Sequence, residues 1–553
     1  MTKFPKFWRI GRKKTRSYSN DVKAPPPQCV SHNDTQWINR LPPELLGKIF
    51  VLTEHLQRGP RLASLPYSGF QDIAVQVCQY WRELAINTPM LWTYIFISQH
   101  PPHPLAKLYL ARSGKCPLDL DMEMRTSYIG DIQPFIPIPQ VKLARETLDF
   151  IVAHGGTLDR WRSLIVHAKT PEVLFEMSSF INIAATPALQ FVSLKWKVNI
   201  DLVEAQEDHS LLSAAEKLDE SCSLSHGPQR PRIRRVDLDG IPSAFIFRRQ
   251  SPFLSNLTRL KLVCAHVLYT IKDISSLLAA NPQLEHLTLD MGVAESRSVG
   301  NVKTGPFQVS LPHLRYWSLN ATNAYDWGVF LLQIVDAPDL ETFEIHATTN
   351  STLHDADPAT VSFMRIGRKN GLLMHNGTNP SGVMPPVYGP PFPALKHFIL
   401  KHVRTASQRT IRKMLEAYPT VTKATVSFPV LFALADNVEL LPNLNHLVYS
   451  GTRRSGFAGT MQRFVQSRSK PNAPFPEVTI EFTGTAEGTF DHVFDTPGID
   501  YMLPLSDLVG HLDIYDNVSP YVSDSDYVSE KRVYTTTDRR FISPFCIESN
   551  SRV

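Results

Sequence analysis

Apolar residues recur along this chain in two rhythms, and the change from one to the other divides it. Between residues 38 and 92 the period is helical. Leu45, Leu46, Ile49 and Phe50 follow Pro42 and Pro43 and predict a helix with one broad apolar face. Proline is tolerated in a first helical turn because the amide hydrogens there have no intrahelical acceptor. Val77, Cys78, Trp81, Leu84 and Ala85 predict a second helix, which Pro89 stops; Leu91 and Trp92 add large apolar groups just beyond. Short helices of this kind are weak alone and must pack on each other or on a partner.

After about residue 110 the rhythm becomes that of strands. An apolar residue is followed by two variable positions, a second apolar residue, one variable position and a third, often behind a proline. The clearest copies are Leu284, Leu287 and Leu289 behind Pro282, and Leu314, Trp317 and Leu319 behind Pro312. Leu340, Phe343 and Ile345 follow Pro338 in the same way, as do Leu395, Phe398 and Leu400 after Pro393 and Leu444, Leu447 and Tyr449 after Pro442. Leu257, Leu260 and Leu262 fit well. Trp161 to Val166, Leu189 to Leu194 and Ile233 to Leu238 are looser members, and Val421, Ala424 and Val426 form a weaker late copy. Starts at 257, 284, 314, 340 and 395 give steps of 27, 30, 26 and 55 residues, the scale of leucine-rich repeats. Alternating side chains of a short strand face inward, and the apolar residue ahead of them anchors the turn. Stretches 274–280, 329–335 and 410–417 predict helices covering the other side. No unit buries its apolar face alone, so neighbours stack into a curved solenoid.

The segment Leu41, Pro42, Pro43, Glu44, Leu45, Leu46, Ile49, Phe50, continued by Val77, Cys78, Trp81, Leu84, Ala85, Pro89, Leu91 and Trp92, resembles an F-box, in the divergent form of large fungal families. The resemblance implies a three-helix module that docks on the Skp-type adaptor of a cullin-RING ubiquitin ligase. It implies that Leu41, Pro42 and Pro43 open the adaptor contact, and that Leu45 and Ile49 are mostly packing positions. Val77 and Cys78 would start the second block, Trp81 would be its central aromatic, and Leu91 with Trp92 its close. The connection from Phe50 to Val77 is longer than in compact family members, with residues 57–69 as the inserted loop. The expected fold class is therefore α/β: a small helical F-box-like module, then an irregular leucine-rich-repeat solenoid with parallel strands and outer helices.

The expected boundaries are a basic, proline-containing leader over 1–36, the helical module over 37–98, the repeat domain over 99–484, and a terminal cap and mobile tail over 485–553. Two excursions break the repeats, near 201–232 and 348–392. Among 553 residues, six cysteines form no regular framework, which suits reduced thiols in an intracellular protein, cytoplasmic or nuclear. No apolar run is long enough to span a bilayer. Seven basic residues and no acidic one lie in the first sixteen positions, so the net charge of +5 becomes −2 for the remainder. The nearly neutral body carries no persistent basic stripe, which argues against stable nucleic-acid binding and favours peptide or protein recognition.

No local motif requires catalysis. Walker A, His-Glu-x-x-His, EF-hand and nucleophile-elbow patterns are all missing from the sequence. Asp119, Asp121 and Glu123 alternate on one strand face, but Leu120 and Met122 between them read as half-buried packing. His286 and His397 occupy variable positions of the strand pattern, and with the aromatic residues Trp196 and Tyr316 they are candidates for a target-binding face. No cofactor or metal is expected. The expected role is a non-catalytic substrate receptor that joins a target protein to the adaptor and, through it, to cullin and RING subunits. The alternative is a repeat-based interaction scaffold unconnected with ubiquitin.

Overall fold

A computed structural model of the chain describes residues 36–58, 69–98, 102–124, 140–168, 170–183, 186–196, 232–241, 254–263, 269–291, 309–320, 325–346, 392–401, 408–452, 456–469, 474–483, 505, 508–517 and 532–535. The expected leader up to residue 35, the inserted loop from 59 to 68, the two long excursions apart from their last residues (232 and 392) and most of the tail lie outside the described residues. The chain divides into two units, Met1–Trp92 and Thr93–Val553.

The first unit is helical, with α1 (Pro43–Gln57), α2 (Phe70–Val77) and α3 (Gln79–Ile86), and a 3-10 turn at each end, Trp37–Arg40 and Pro89–Trp92. Pro42 is extended, and its carbonyl accepts from the amides of Leu45 and Leu46 at 3.0 and 3.1 Å, which starts α1. Phe50 closes the small core, its ring 5.4 Å from Phe70 and 4.8 Å from Trp81 between centroids. The Trp92 indole donates to the Ala85 carbonyl at 2.7 Å and pins the closing turn to the end of α3. The expected single helix from Val77 to Ala85 is in fact two. Cys78 is extended, and its sulfur accepts from the Trp81 amide at 3.4 Å, so it caps α3 while Val77 closes α2. A cysteine is not a customary cap, and neither glycine nor proline marks the break.

Among the described residues, the second unit is built on a 15-stranded sheet. Its strands are β1 (Tyr94–Ser98), β2 (Leu118–Met124), β3 (Trp161–Ala168), β4 (Phe191–Trp196), β5 (Arg235–Asp239), β6 (Arg259–Val263) and β7 (His286–Asp290). Then come β8 (Val309–Ser310), β9 (Tyr316–Asn320), β10 (Val335–Asp336), β11 (Thr342–His346), β12 (His397–Lys401), β13 (Lys423–Val426), β14 (His446–Gly451), β15 (Phe475–Thr483), β16 (Val509–Asn517) and β17 (Arg532–Thr535). The two-residue strands β8 and β10 pair with each other apart from the main sheet. All other strands pair in chain order and in parallel until β17, which closes antiparallel on β16. This order is compatible with a solenoid. The sheet begins at Tyr94, inside the segment expected to be helical up to residue 98, and runs past residue 484 through β16 and β17.

One buried side chain follows another along the sheet: Leu164, Val192, Val236, Leu260, Leu287, Trp317, Phe343 and Phe398 are in register and out of water. Helices pack over the repeats, with Ile271–Ala279 against Tyr325–Ile334 and Phe428–Asp436 against Phe457–Arg468. The prolines now have a structural account. Leu284 N–H bonds the Asn281 carbonyl at 3.1 Å, Leu314 bonds Leu311 at 3.1 Å, Leu395 bonds Phe392 at 3.2 Å and Leu444 bonds Leu441 at 3.0 Å. In each turn proline is the second residue, where its fixed φ preorganises the bend. Asn281 is fully buried. Its oxygen accepts from Leu257 N–H at 2.8 Å while its amide donates to the carbonyls of Leu254 and Leu277, each at 2.7 Å. One side chain thereby ties a helix end to the turn of the preceding unit. No helix among the described residues is long and apolar enough to cross a membrane.

Candidate docking surfaces

In the helical unit the expected single apolar face of α1 splits into two. Leu46, Gly47, Phe50 and Glu54 are buried, whereas Leu45 is 48% exposed, Ile49 39%, Leu52 61% and Leu56 84%. At 3.6 residues per turn, positions 45, 49, 52 and 56 fall within about 60° of one another, a stripe roughly 17 Å long. Leu45 and Ile49 are thus only partly covered within this unit. Adjacent residues differ by about 100° around a helix, so a pair such as Leu45 and Leu46 can serve opposite faces. Pro42, Pro43 and Val77 are also exposed, Leu41 and Cys78 are half-buried, and Leu91 and Trp92 are fully buried. Trp81 is half-buried, and its indole donates to the Asn39 side chain at 2.7 Å. The candidate residues thus sort into an outward set (Pro42, Pro43, Leu45, Ile49, Val77) and an inward set (Leu91, Trp92) that holds the helices.

In the sheet, the positions between the buried leucines form the opposite face. Three of the four candidates there share one register row: His286 lies beside Tyr316, and Thr342 separates Tyr316 from His397. Trp196 does not join them. It pairs with Ala168 near the far end of β4, and Phe191 holds that strand's place in the row. Before His286 the row runs through Phe191, Arg235 and Arg259, and beyond His397 through Lys423 and His446. Carboxylates appear only at its flanks, as Asp119 in β2 and Glu477 in β15.

A repeated diagonal bond orders this face. The side chain of a row residue reaches the next strand one row further along. Tyr94 donates to Asp121 and Tyr316 to Glu344; the His397 and His446 rings meet the hydroxyls of Thr425 and Thr479, each at 3.1 Å. Glu344, nearly buried, also accepts from His346 at 2.9 Å. Burial, reinforced by the hydrogen bond to Glu344, raises the Tyr316 hydroxyl pKa well above its ordinary value, so it remains a donor at neutral pH. Burial, then the charges of Arg259 and Arg235, lowers the proton affinity of His286. Burial, followed by Lys423, does the same for His446.

No family model matches this chain, and no curated protein does.

Its surfaces therefore stand on their own geometry. His446 and His511 belong to the same row as His286 and were missed in the sequence because only the pairing register reveals the alignment. The alternating carboxylates of β2 are engaged by their neighbours. Asp119 accepts from Ser163 at 2.9 Å and from Arg162, and Asp121 lies 3.7 Å from His167. These side chains knit the first strands together. The helical unit offers an apolar stripe, and the sheet offers a polar face of fixed register.

Proposed function

We propose that this chain is an F-box-like, leucine-rich-repeat substrate receptor of a cullin-RING ubiquitin ligase. The helical unit docks on a Skp-type adaptor, and the strand face presents a target protein. The exposed stripe of Leu45, Ile49, Leu52 and Leu56 carries this reading, because it sits on the helix that opens with Pro42 and Pro43. Covering those side chains removes apolar surface worth roughly 4 kcal/mol from water. Exposed apolar surface arranged as a stripe rather than scattered singly marks an interaction site. Support for the repeat half comes from the parallel strands in chain order and the proline turn ahead of many of them.

The chain itself performs no bond chemistry in this reading. It acts by proximity, holding a target lysine near a ubiquitin-loaded enzyme recruited through the cullin and RING subunits, which raises the effective concentration and orients attack. The test is co-expression of the full chain with its host's Skp-type adaptor, followed by purification of a 1:1 complex. Leu45→Lys with Ile49→Lys should abolish the complex and leave the sheet folded. A folded full-length protein that never captures the adaptor, or a double variant that captures it normally, returns the chain to the alternative, a repeat scaffold unconnected with ubiquitin.

A further inference from the structure

The row that starts β5 and ends at β14 has a chemical bias its neighbours lack. Arg235 and Arg259 are direct register partners, and Lys423 stands between His397 and His446. Strand-to-strand spacing of about 4.8 Å makes this row about 34 Å long. No carboxylate interrupts it, and the acidic groups one row away are already engaged. Asp237 pairs with Arg235 at 3.0 Å, and Glu344 accepts from Tyr316 and His346. Arg259 is exposed and has no salt bridge among the described residues, while the Arg235 side chain stays 48% exposed and lies 4.5 Å above the Phe191 ring. Lys261, also exposed, lies one row further along β6, beside Asp237. Burial is the first cause of the lowered proton affinity of His286, reinforced by Arg259 and Arg235 and opposed by Glu285.

We propose that this row is a docking track for an acidic, extended segment of a partner polypeptide, its carboxylates anchored first by Arg259, with Arg235, shared with Asp237, beside it, and its continuation laid over Tyr316, His397 and Lys423. Charge complementarity selects this occupant. The Arg259 guanidinium can donate in a pair to a planar carboxylate, as Arg235 already does to Asp237, while the tyrosine and histidines offer flat, partly apolar surface with polar tips. An extended chain advances about 3.3 Å per residue, so the track accommodates a segment of about ten residues. The inference rests on the strand face being the receptor surface; it does not depend on adaptor docking.

The test uses the full-length protein and fluorescein-labelled peptides of about ten residues, graded in Asp and Glu content, beside a neutral peptide and an oligouridylate of similar length. Affinity should rise with acidic content and fall as salt is raised. Arg235→Gln with Arg259→Gln should weaken the acidic peptides about tenfold or more, whereas Arg409→Gln on helix Gln408–Glu416 should change nothing. Thermal unfolding of each variant checks that the fold is kept. Absence of acidic-peptide binding overturns the proposal, as does binding that the double variant leaves intact. Preference for the oligouridylate, lost in the same double variant, overturns it in favour of a nucleic-acid track. Binding of the neutral peptide lost only on His397→Ala also overturns it, yet leaves the strand face as the receptor surface.

Discussion

The two units solve the problem of outward-facing residues in opposite ways. Helix α1 leaves leucine and isoleucine in water along one stripe, and these side chains gain free energy only when something covers them. The sheet leaves polar side chains outward and satisfies many of them within itself, through diagonal bonds such as Tyr316 to Glu344 and His446 to Thr479. A surface of the first kind favours a lasting partner, because its driving force grows with area and has little direction. A surface of the second kind favours exchangeable ligands, which must match donors and acceptors already in place. The difference teaches that burial alone does not identify a binding face: one face is marked by unmet apolar surface, the other by charge left over after local bonds are made.

Substitutions can break or sharpen this contrast. Phe50→Ala removes the ring that Phe70 and Trp81 pack against and should destabilise the helical unit by about 3–5 kcal/mol, read by thermal unfolding, while the sheet's transition stays in place. Asn281→Ala strands one buried amide and two carbonyls and should cost the sheet about 2–4 kcal/mol in urea denaturation. Tyr316→Phe deletes one donor to a carboxylate that retains His346; about 1–2 kcal/mol is expected by the same measurement. Leu45→Ser, by contrast, should shift stability by no more than about 0.5 kcal/mol while adaptor capture falls sharply; equal loss of both would place Leu45 in the core after all.

The smallest effect concerns pH. Folded His286 resists protonation, so the unfolded chain binds more protons once the pH falls below the ordinary histidine value of 6.5. Stability from this site is therefore full above that pH and declines as pH falls toward the depressed folded pKa, below which it levels off. Comparing the pH dependence of unfolding for the wild type and His286→Gln should show a shallower acid slope in the variant.

Much of the sheet was legible because its signals are local. Leu284, Leu287 and Leu289 behind Pro282 encode a turn and a two-residue period within nine positions, and apolar windows of this spacing matched β3 to β7, β9 and β11 to β14. The first strand, Tyr94–Ser98, and the penultimate one, Val509–Asn517, were less visible, since neither follows the apolar spacing with a proline turn that marks the central copies. The face was legible only in part. His286, Tyr316 and His397 share a parity that sequence reveals, but their alignment with Arg235, Arg259 and His446 depends on register between distant segments. In α1, periodicity located the apolar residues and could not say which of Leu45 and Leu46 would turn inward, because that depends on where α2 and α3 pack. The break at Cys78 is likewise tertiary in origin.

The proline turns have an evolutionary corollary. Thr342 and His397 are direct partners although dozens of residues separate them, as closely matched as Arg259 and His286 across a much shorter link. What sets the position of a row residue is the bend just ahead of it and the carbonyl its own amide meets: Glu341 for His397, Thr258 for His286. The length of the intervening chain does not enter. A lineage carrying such a scaffold can lengthen, shorten or replace a connection without reshuffling the side chains displayed on the opposite face, so its specificity and its embellishments are free to diverge independently.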